Sequence, residues 1–319
     1  MVDNILLSII VTTYNHENYI EKAIDSILMQ KVNFNYEVLI GEDCSTDNTR
    51  SILKHIEKRT GDNFHYFYRE INCRADKIGF PYGNGGDLKL HSKGKYIITL
   101  EGDDYWTDPN KLQSQVDFLE SHDDYYACAH KCIVVDENNK KRNETYNDCN
   151  ESVYNLRYMV SDILPGQTAT FMYRNPYVVY QESELDFLLN EKYYIGDRRN
   201  VFFAATHGKI ACMNKCMSAY RHVTNHGSSF SANNSHAFDR EYPHYKSFLD
   251  YCILNCITGD EYLIAEIMLY LFLFKSLIRR KIRVKDFFDR TSTIIHKKYC
   301  FVHSILYLLR KAMGMRIAY

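Results

Sequence analysis

Leu100 to Leu112 reads LEGDDYWTDPNKL, which sets Glu101, Asp103 and Asp104 directly behind the apolar run Tyr96-Ile97-Ile98-Thr99-Leu100. Carboxylates crowded at the end of a buried strand repel one another, so a cation is expected among them. Hard oxygen ligands of this kind suit Mn2+ or Mg2+, and such an ion bridges to phosphate oxygens. Thr107, Asp108 and Pro109 have a plainer use as the start of a helix, which accounts for Asp108 but not for the earlier acids. Two further polar clusters also follow apolar runs: Thr12, Thr13, Tyr14 and Asn15 after LLSIIV, and Glu42, Asp43 and Ser45 after YEVLI.

For these clusters to meet, the runs before them must be neighbouring strands. LLSIIVTTYN is continuously apolar, as in a strand covered on both faces. ENYIEKAIDSILMQ places Ile20, Ala23, Ile24, Ile27 and Leu28 on one helical face. YEVLIGED reads as a strand, RSILKHIEKRTG as a helix ending at Gly61, NFHYFYRE as a strand, DLKLHSKG as a short helical stretch and KYIITL as a fourth strand. This alternation predicts an α/β fold with a mostly parallel twisted sheet flanked by helices. Ligands of such sheets bind beyond the carboxyl ends of the strands, where the three clusters lie. The Gly-x-Gly-x-x-Gly fingerprint is absent after the first strand, as is a P-loop, so a carboxylate-held ion is the expected means of neutralising a phosphate.

With these residues in view, SIIVTTYNHENYIEKAIDSILMQ, YEVLIGEDCSTDNT and GKYIITLEGDDYWTDPNKLQSQVDFLE resemble, in order and spacing over roughly residues 5–122, the nucleotide-sugar half of family 2 glycosyltransferases. The resemblance implies a GT-A fold and, for many members, a place in building bacterial surface polysaccharide such as capsule or lipopolysaccharide. It implies that Thr12, Tyr14 and Glu17 line the nucleotide, that Asp43 meets the uracil ring and that Asn72 contacts the nucleotide. Glu101-Gly102-Asp103 matches the Asp-x-Asp motif, whose first acid meets ribose and whose last holds the metal. Here Glu stands first and Gly replaces a commoner Ser. Asp104 is implied as a second ligand or as support for the first. Trp106 reads better as a packing residue under the helix at 110–121 than as a sugar platform.

The second half is expected to hold the acceptor. LPGQTATFMYRN resembles the strand opening the acceptor side, with Gln167 and Thr168 as acceptor contacts. In KYYIGDRRNVFFAATHGKI, Asp197 matches the family's general base, and it also suits a helix N-terminus. MSAYRHVTNHGSSFSANN resembles the segment after the last core strand. Its Arg221, His222 and His226 are candidates for the diphosphate or the metal, and Gly227–Asn234 for a lid. The resemblance, with one base and no second carboxylate nucleophile, implies a single displacement with inversion.

Composition narrows the classes. The chain has 319 residues and a net charge of −1, which does not suggest a nucleic-acid binder. Residues 270–319 nevertheless hold twelve Lys or Arg against Asp286 and Asp289, leaving 27 basic and 38 acidic residues elsewhere. The division expected is a glycosyltransferase domain over 1–239 (donor half 1–122, acceptor half 123–239) and a helical basic extension over 240–319. The apolar run Tyr262–Phe274 contains Glu266 and is short for a membrane span. With basic clusters between apolar stretches, the tail is expected to contact an anionic membrane from the cytoplasmic side, where a lipid-linked acceptor would lie. The opening MVDNILLSII lacks a basic leader, so the ten cysteines are expected to be reduced thiols. The i, i+4 pairs Cys128/Cys132, Cys212/Cys216 and Cys252/Cys256 are loose for zinc. Two competing readings remain. A sugar-1-phosphate nucleotidylyltransferase would want a Gly-rich basic first loop, which VTTYNHENY is not. A non-catalytic membrane-associated scaffold would leave Asp43, Asp103 and Asp197 without a task.

Overall fold

The structure, a computed structural model, describes residues 5–73, 82–146, 148–190, 196–223 and 238–312. In chain order the elements are β1 (Leu7–Thr13), α1 (Ile20–Leu28), β2 (Tyr36–Glu42), α2 (Thr49–Ile56), β3 (Phe64–Tyr68), α3 (Gly83–Leu90), β4 (Tyr96–Glu101), β5 (Tyr105–Trp106) and α4 (Lys111–Ser121). They continue as β6 (Tyr125–Val135), β7 (Met172–Arg174), α5 (Asp186–Leu189), α6 (Gly196–His207), β8 (Lys209–Arg221), α7 (Phe238–Leu254), α8 (Asp260–Ile278), α9 (Val284–Arg290) and α10 (Lys297–Ala312).

The chain divides into two compact units. The first comprises Met1–Tyr154, Pro165–Glu191 and His207–Asn234; the second comprises Asn155–Leu164, Lys192–Thr206 and Ser235–Tyr319. The second therefore takes in two short segments that precede the tail, which no composition change marks.

One eight-stranded sheet runs through the first unit in the order β3-β2-β1-β4-β7-β6-β8-β5. The expected parallel arrangement holds for β3, β2, β1 and β4. Beyond β4 the sheet turns mixed: β7 is antiparallel to β4 and β6, and β6 is parallel to β8. Leu7, Ile9, Val11, Val38, Ile40, Ile98 and Leu100 are buried in the main core with Ile20, Ala23, Ile24 and Ile27 of α1. The alternate strand residues Ile10, Leu39 and Ile97 are buried too, as a sheet covered on both faces demands. Leu28, assigned to the same helical face, is exposed at the last turn.

Two helices differ from their sequence reading. The stretch to Gly61 is helical only to Ile56 and then tightens into a 3-10 turn, Glu57–Arg59. The third helix starts at Gly83 rather than near Asp87 and runs GNGGDLKL. Glycine disfavours a helix interior, but here it permits close approach. A Cβ on Gly86 would meet Tyr82 Cβ at 2.6 Å, and one on Gly85 would meet Thr12 Cγ2 at 3.3 Å. The helix is thereby allowed to press on the end of β1.

In the second unit α8 packs against α7 and α10. Ile264 to Leu273 are all buried, so the densest apolar run of the tail is the core of this helical unit. Glu266 lies within that run, and its carboxylate accepts from Ile295 N (2.6 Å) and His296 N (3.2 Å). Among the described residues no helix is long and apolar enough to cross a membrane.

Candidate active site

The strand register builds the site. Thr12 of β1 pairs with Glu101 of β4, and Thr13 pairs with Glu42 of β2. The backbone leaves all three strands together: Gly102 N donates to Thr12 O (2.9 Å) and Asp43 N donates to Thr13 O (3.0 Å). The three polar clusters thus meet along one edge.

The loop after β1 is tied to the loop after β2. Asn15, with φ of 55°, donates its N–H to Ser45 Oγ (3.0 Å) and accepts from Thr46 N (2.8 Å). Glu17 accepts from Asn48 N and Nδ2 and donates its N–H to Asp47. Its carboxylate therefore fixes the loop. Tyr14 lies half-buried between Thr13 and Asn15.

Asp43 and Asn72 are brought together from 29 residues apart. Asn72 Nδ2 donates to Asp43 Oδ2 (2.9 Å) and to Asp43 O (3.0 Å), while Cys73 N donates to Oδ1 (2.5 Å). Burial pushes the Asp43 carboxyl above its usual range, against the lowering effect of the Cys73 N–H and Arg69.

At the end of β4 the two aspartates have opposite surroundings. Asp104 is buried, and both its oxygens are engaged: Oδ1 accepts from Arg221 N and Oδ2 from Gln167 Nε2, each at 2.7 Å. Burial, then the carboxylates of Asp103 and Glu101, push its pKa well up. Asp103 is partly exposed, and His16 Nε2 lies 4.0 Å from its Oδ2, beyond hydrogen-bond reach. His16 Nδ1 is 3.2 Å from Thr13 Oγ1, and burial holds the imidazole below its usual pKa despite Asp103 and Asp47. Gly102 allows this packing, since a Cβ there would meet His16 Nδ1 and Thr13 Oγ1 at 2.8 Å. His16 was not among the residues the sequence pointed to. Its only signal was its place right after the strand-end Asn15.

Several candidates are committed to structure. Arg221 is buried; its guanidinium donates to Asp103 O (2.8 Å), Asp136 O (2.6 Å) and Asn139 Oδ1 (2.7 Å) and sits 4.2 Å from the Tyr19 ring centre. Gln167 is buried and also accepts from Ala169 N (2.7 Å). Thr168 is half-buried in the 3-10 turn that follows. His222 Nδ1 lies 2.8 Å from Glu144 Oε1. His226 and the Gly227–Asn234 loop lie outside the described residues. Trp106 packs: it is buried, donates Nε1–H to Ala169 O (2.9 Å) and carries the Lys111 ammonium 4.0 Å from its ring centre. In the second unit, Asp197 is the second residue of α6, half-buried in its first turn. Cys212 has Cys149 as its sulfur neighbour rather than Cys216.

The family model described as glycosyl transferase family 2 matches residues 8–174, more than half of the chain. The chain belongs to that family. A candidate teichuronic acid biosynthesis glycosyltransferase of Bacillus subtilis, TuaG, is 35% identical over 114 residues, covering 36% of this chain and 42% of its own. An uncharacterised protein of Mycobacterium tuberculosis is 37% identical over 138 residues, 43% of this chain and 38% of its own. The chain thus spans about two fifths of the length of these curated relatives. Among solved structures, Staphylococcus aureus TarS 1–349 in complex with UDP has a TM-score of 0.56 at 17% identity, covering 88% of this chain and 77% of that one. A longer TarS structure has a TM-score of 0.60 at 18% identity, covering 92% of this chain and 50% of that one. At these identities the likeness is one of fold, and it matches the GT-A architecture expected.

Among the described residues no three His, Cys, Asp or Glu side chains are grouped to hold an ion by themselves. Asp103 keeps a partly exposed carboxylate at the strand end beside the half-buried Glu101, whereas both oxygens of Asp104 are engaged. That donor set suits Mg2+ or Mn2+, which take one or two carboxylates and complete their shell with phosphate oxygens and water.

Proposed function

We propose that this glycosyltransferase moves a sugar from a UDP-sugar to a hydroxyl of a glycan or lipid-linked acceptor in bacterial surface polysaccharide synthesis. The observation that carries the reading is the register of β1 with β2 and β4, which brings Thr12, Glu42 and Glu101 to one sheet edge, with Asp43 and Asp103 in the turns just beyond it. Family membership and the TuaG likeness support it.

In this reading Asp43, ionised and oriented by Asn72 and Cys73, accepts from the imide N–H of uracil. Glu101 accepts from a ribose hydroxyl. Asp103 would hold the divalent ion, which, when bound, neutralises charge on a departing diphosphate. Asp104, Gln167 and Arg221 stiffen the turn that carries Asp103. Asp197 takes the proton of the attacking hydroxyl, and a single displacement inverts the anomeric centre.

The test is calorimetric. UDP should bind the full chain at least about tenfold more tightly with Mn2+ than in chelator, as expected when an ion bridges carboxylate and diphosphate. Asp103→Asn should remove that difference and leave the metal-independent part. UDP binding that is absent, or indifferent to Mn2+ in the unmodified protein, overturns the assignment.

A further inference from the structure

In α10, Cys300, Ser304 and Tyr307 are buried, at the spacing of a single helical face. The opposite face is apolar as well. Val302, Leu306 and Leu309 recur at i, i+4 and i+7, and all three are exposed, Leu309 by 53%. A surface helix of a globular unit ordinarily turns charge outward on that side. In α9, Phe287 is buried while Val284 and Phe288 are exposed, Phe288 by 65%. A chain of aromatic rings runs from α9 through α8 to α10. The Phe274 ring of α8 lies 6.4 Å from Phe287 and 5.8 Å from Phe301, and Phe287 lies 5.6 Å from Phe288.

Positive charge borders these residues. Arg279, Arg280, Lys281, Arg283 and Lys285 occupy the end of α8, the turn and the start of α9, and Lys297 and Lys298 open α10. All seven are exposed. A groove of about 500 Å³ beside the turn is lined by Arg280, Lys281, Arg283 and Arg290 with Asp239 and Asp286. Arg283 is bridged to Asp286 at 3.1 Å, and Arg290 stacks 4.3 Å from the Tyr242 ring centre.

We propose that α9, the outward face of α10 and the basic turn before α9 form a docking surface for an anionic lipid bilayer. Large apolar side chains bordered by Lys and Arg are what an interfacial helix needs. Charge complementarity selects the occupant: a second copy would bring like charge against like charge, whereas an anionic leaflet attracts each basic residue. The groove would take a lipid phosphate, and the exposed Val, Leu and Phe would enter the headgroup boundary without crossing. This surface goes beyond the donor site, and vesicle binding requires no nucleotide, so the two readings fail separately.

Full chain would be sedimented with phosphatidylcholine vesicles, with and without phosphatidylglycerol. It should pellet with the anionic vesicles and stay in solution with the neutral ones. The triple variant Arg279→Gln, Lys285→Gln, Lys298→Gln should lower anionic partitioning about a hundredfold, at about fivefold per basic residue. Leu306→Ser with Leu309→Ser should lower it as well. Both sets change exposed positions, so melting temperature and UDP binding should not move. The proposal is overturned if the unmodified chain stays in solution with anionic vesicles, or if it binds neutral vesicles equally well. It is also overturned if sedimentation velocity shows a dimer that Leu306→Ser with Leu309→Ser dissolves, without vesicle binding.

Discussion

Gly102→Ala tests the packing on which the Asp103 geometry depends. A Cβ at this position would stand 2.8 Å from both His16 Nδ1 and Thr13 Oγ1 and 2.9 Å from Thr13 Cβ. To reach a contact of 3.4 Å, each neighbour would have to retreat by about 0.6 Å. Neither is well placed to do so. Thr13 is the last residue of β1 and is buried, and His16 is held by its N–H bond to Thr49 Oγ1 (2.8 Å). Small-to-large changes in such packing cost about 1–3 kcal/mol. For a protein of this size that corresponds to a fall of roughly 2–12 °C in melting temperature. Gly196→Ala is the control, because a Cβ there meets nothing within 4 Å and the position is helical. It should hold or raise the melting temperature. The function should suffer more than the fold, since displacement of His16 moves the group facing Asp103. Metal-dependent UDP binding is expected to weaken about tenfold or more, at 1.4 kcal/mol per decade. If Gly102→Ala melts within a degree of the unmodified protein and binds UDP with Mn2+ equally well, the packing argument is wrong.

Asp43 should make UDP binding sensitive to acid. Its folded pKa is raised by burial, so the ionised acceptor is present at neutral pH and is lost as pH falls, beginning above the usual carboxylate value of about 3.9. Affinity for UDP should decline on acidification before that of a simple surface carboxylate would, and Asp43→Asn should abolish this dependence in calorimetry. Asp197→Asn should lower turnover by roughly 10²–10⁴-fold in a sugar-transfer assay, the contribution usual for a positioned base, with donor KM little changed.

The parallel strands β1 to β4 and their helices were legible because their signals are local. Each of β1, β2 and β4 is an apolar run long enough for a strand covered on both faces, and each ends in residues with no place in a core. The register that aligns Thr12 with Glu101 then follows from parallel pairing. The glycine-bearing α3 was legible only in part, because its tolerance of Gly85 and Gly86 depends on neighbours elsewhere in the chain. The mixed half was less legible still. The β6–β8 pairing is parallel across more than seventy residues and shifts register near Lys131, and nothing in either strand's sequence names the other.

The limits of the residue-type argument show best at Asp104, Gln167 and Arg221. Each has a side chain suited to a metal, a sugar hydroxyl or a diphosphate; Gln167 and Arg221 were expected as contacts, and Asp104 as a second ligand or as support for the first. A buried carboxylate, however, must find donors or lose its charge. The donors nearest Asp104 are Gln167, 63 residues away, and Arg221 N, 117 residues away. Because both oxygens face N–H groups, the two bonds favour the ionised form against the burial that raises its pKa. Arg221 in turn reaches three acceptors at once, which a planar guanidinium can do and a lysine ammonium cannot match in geometry. One of those acceptors is the carbonyl of Asp103. The three residues therefore hold the turn after β4 together. They fix the turn so that both oxygens of Asp104 are engaged inside the protein while the neighbouring Asp103 keeps a partly exposed carboxylate.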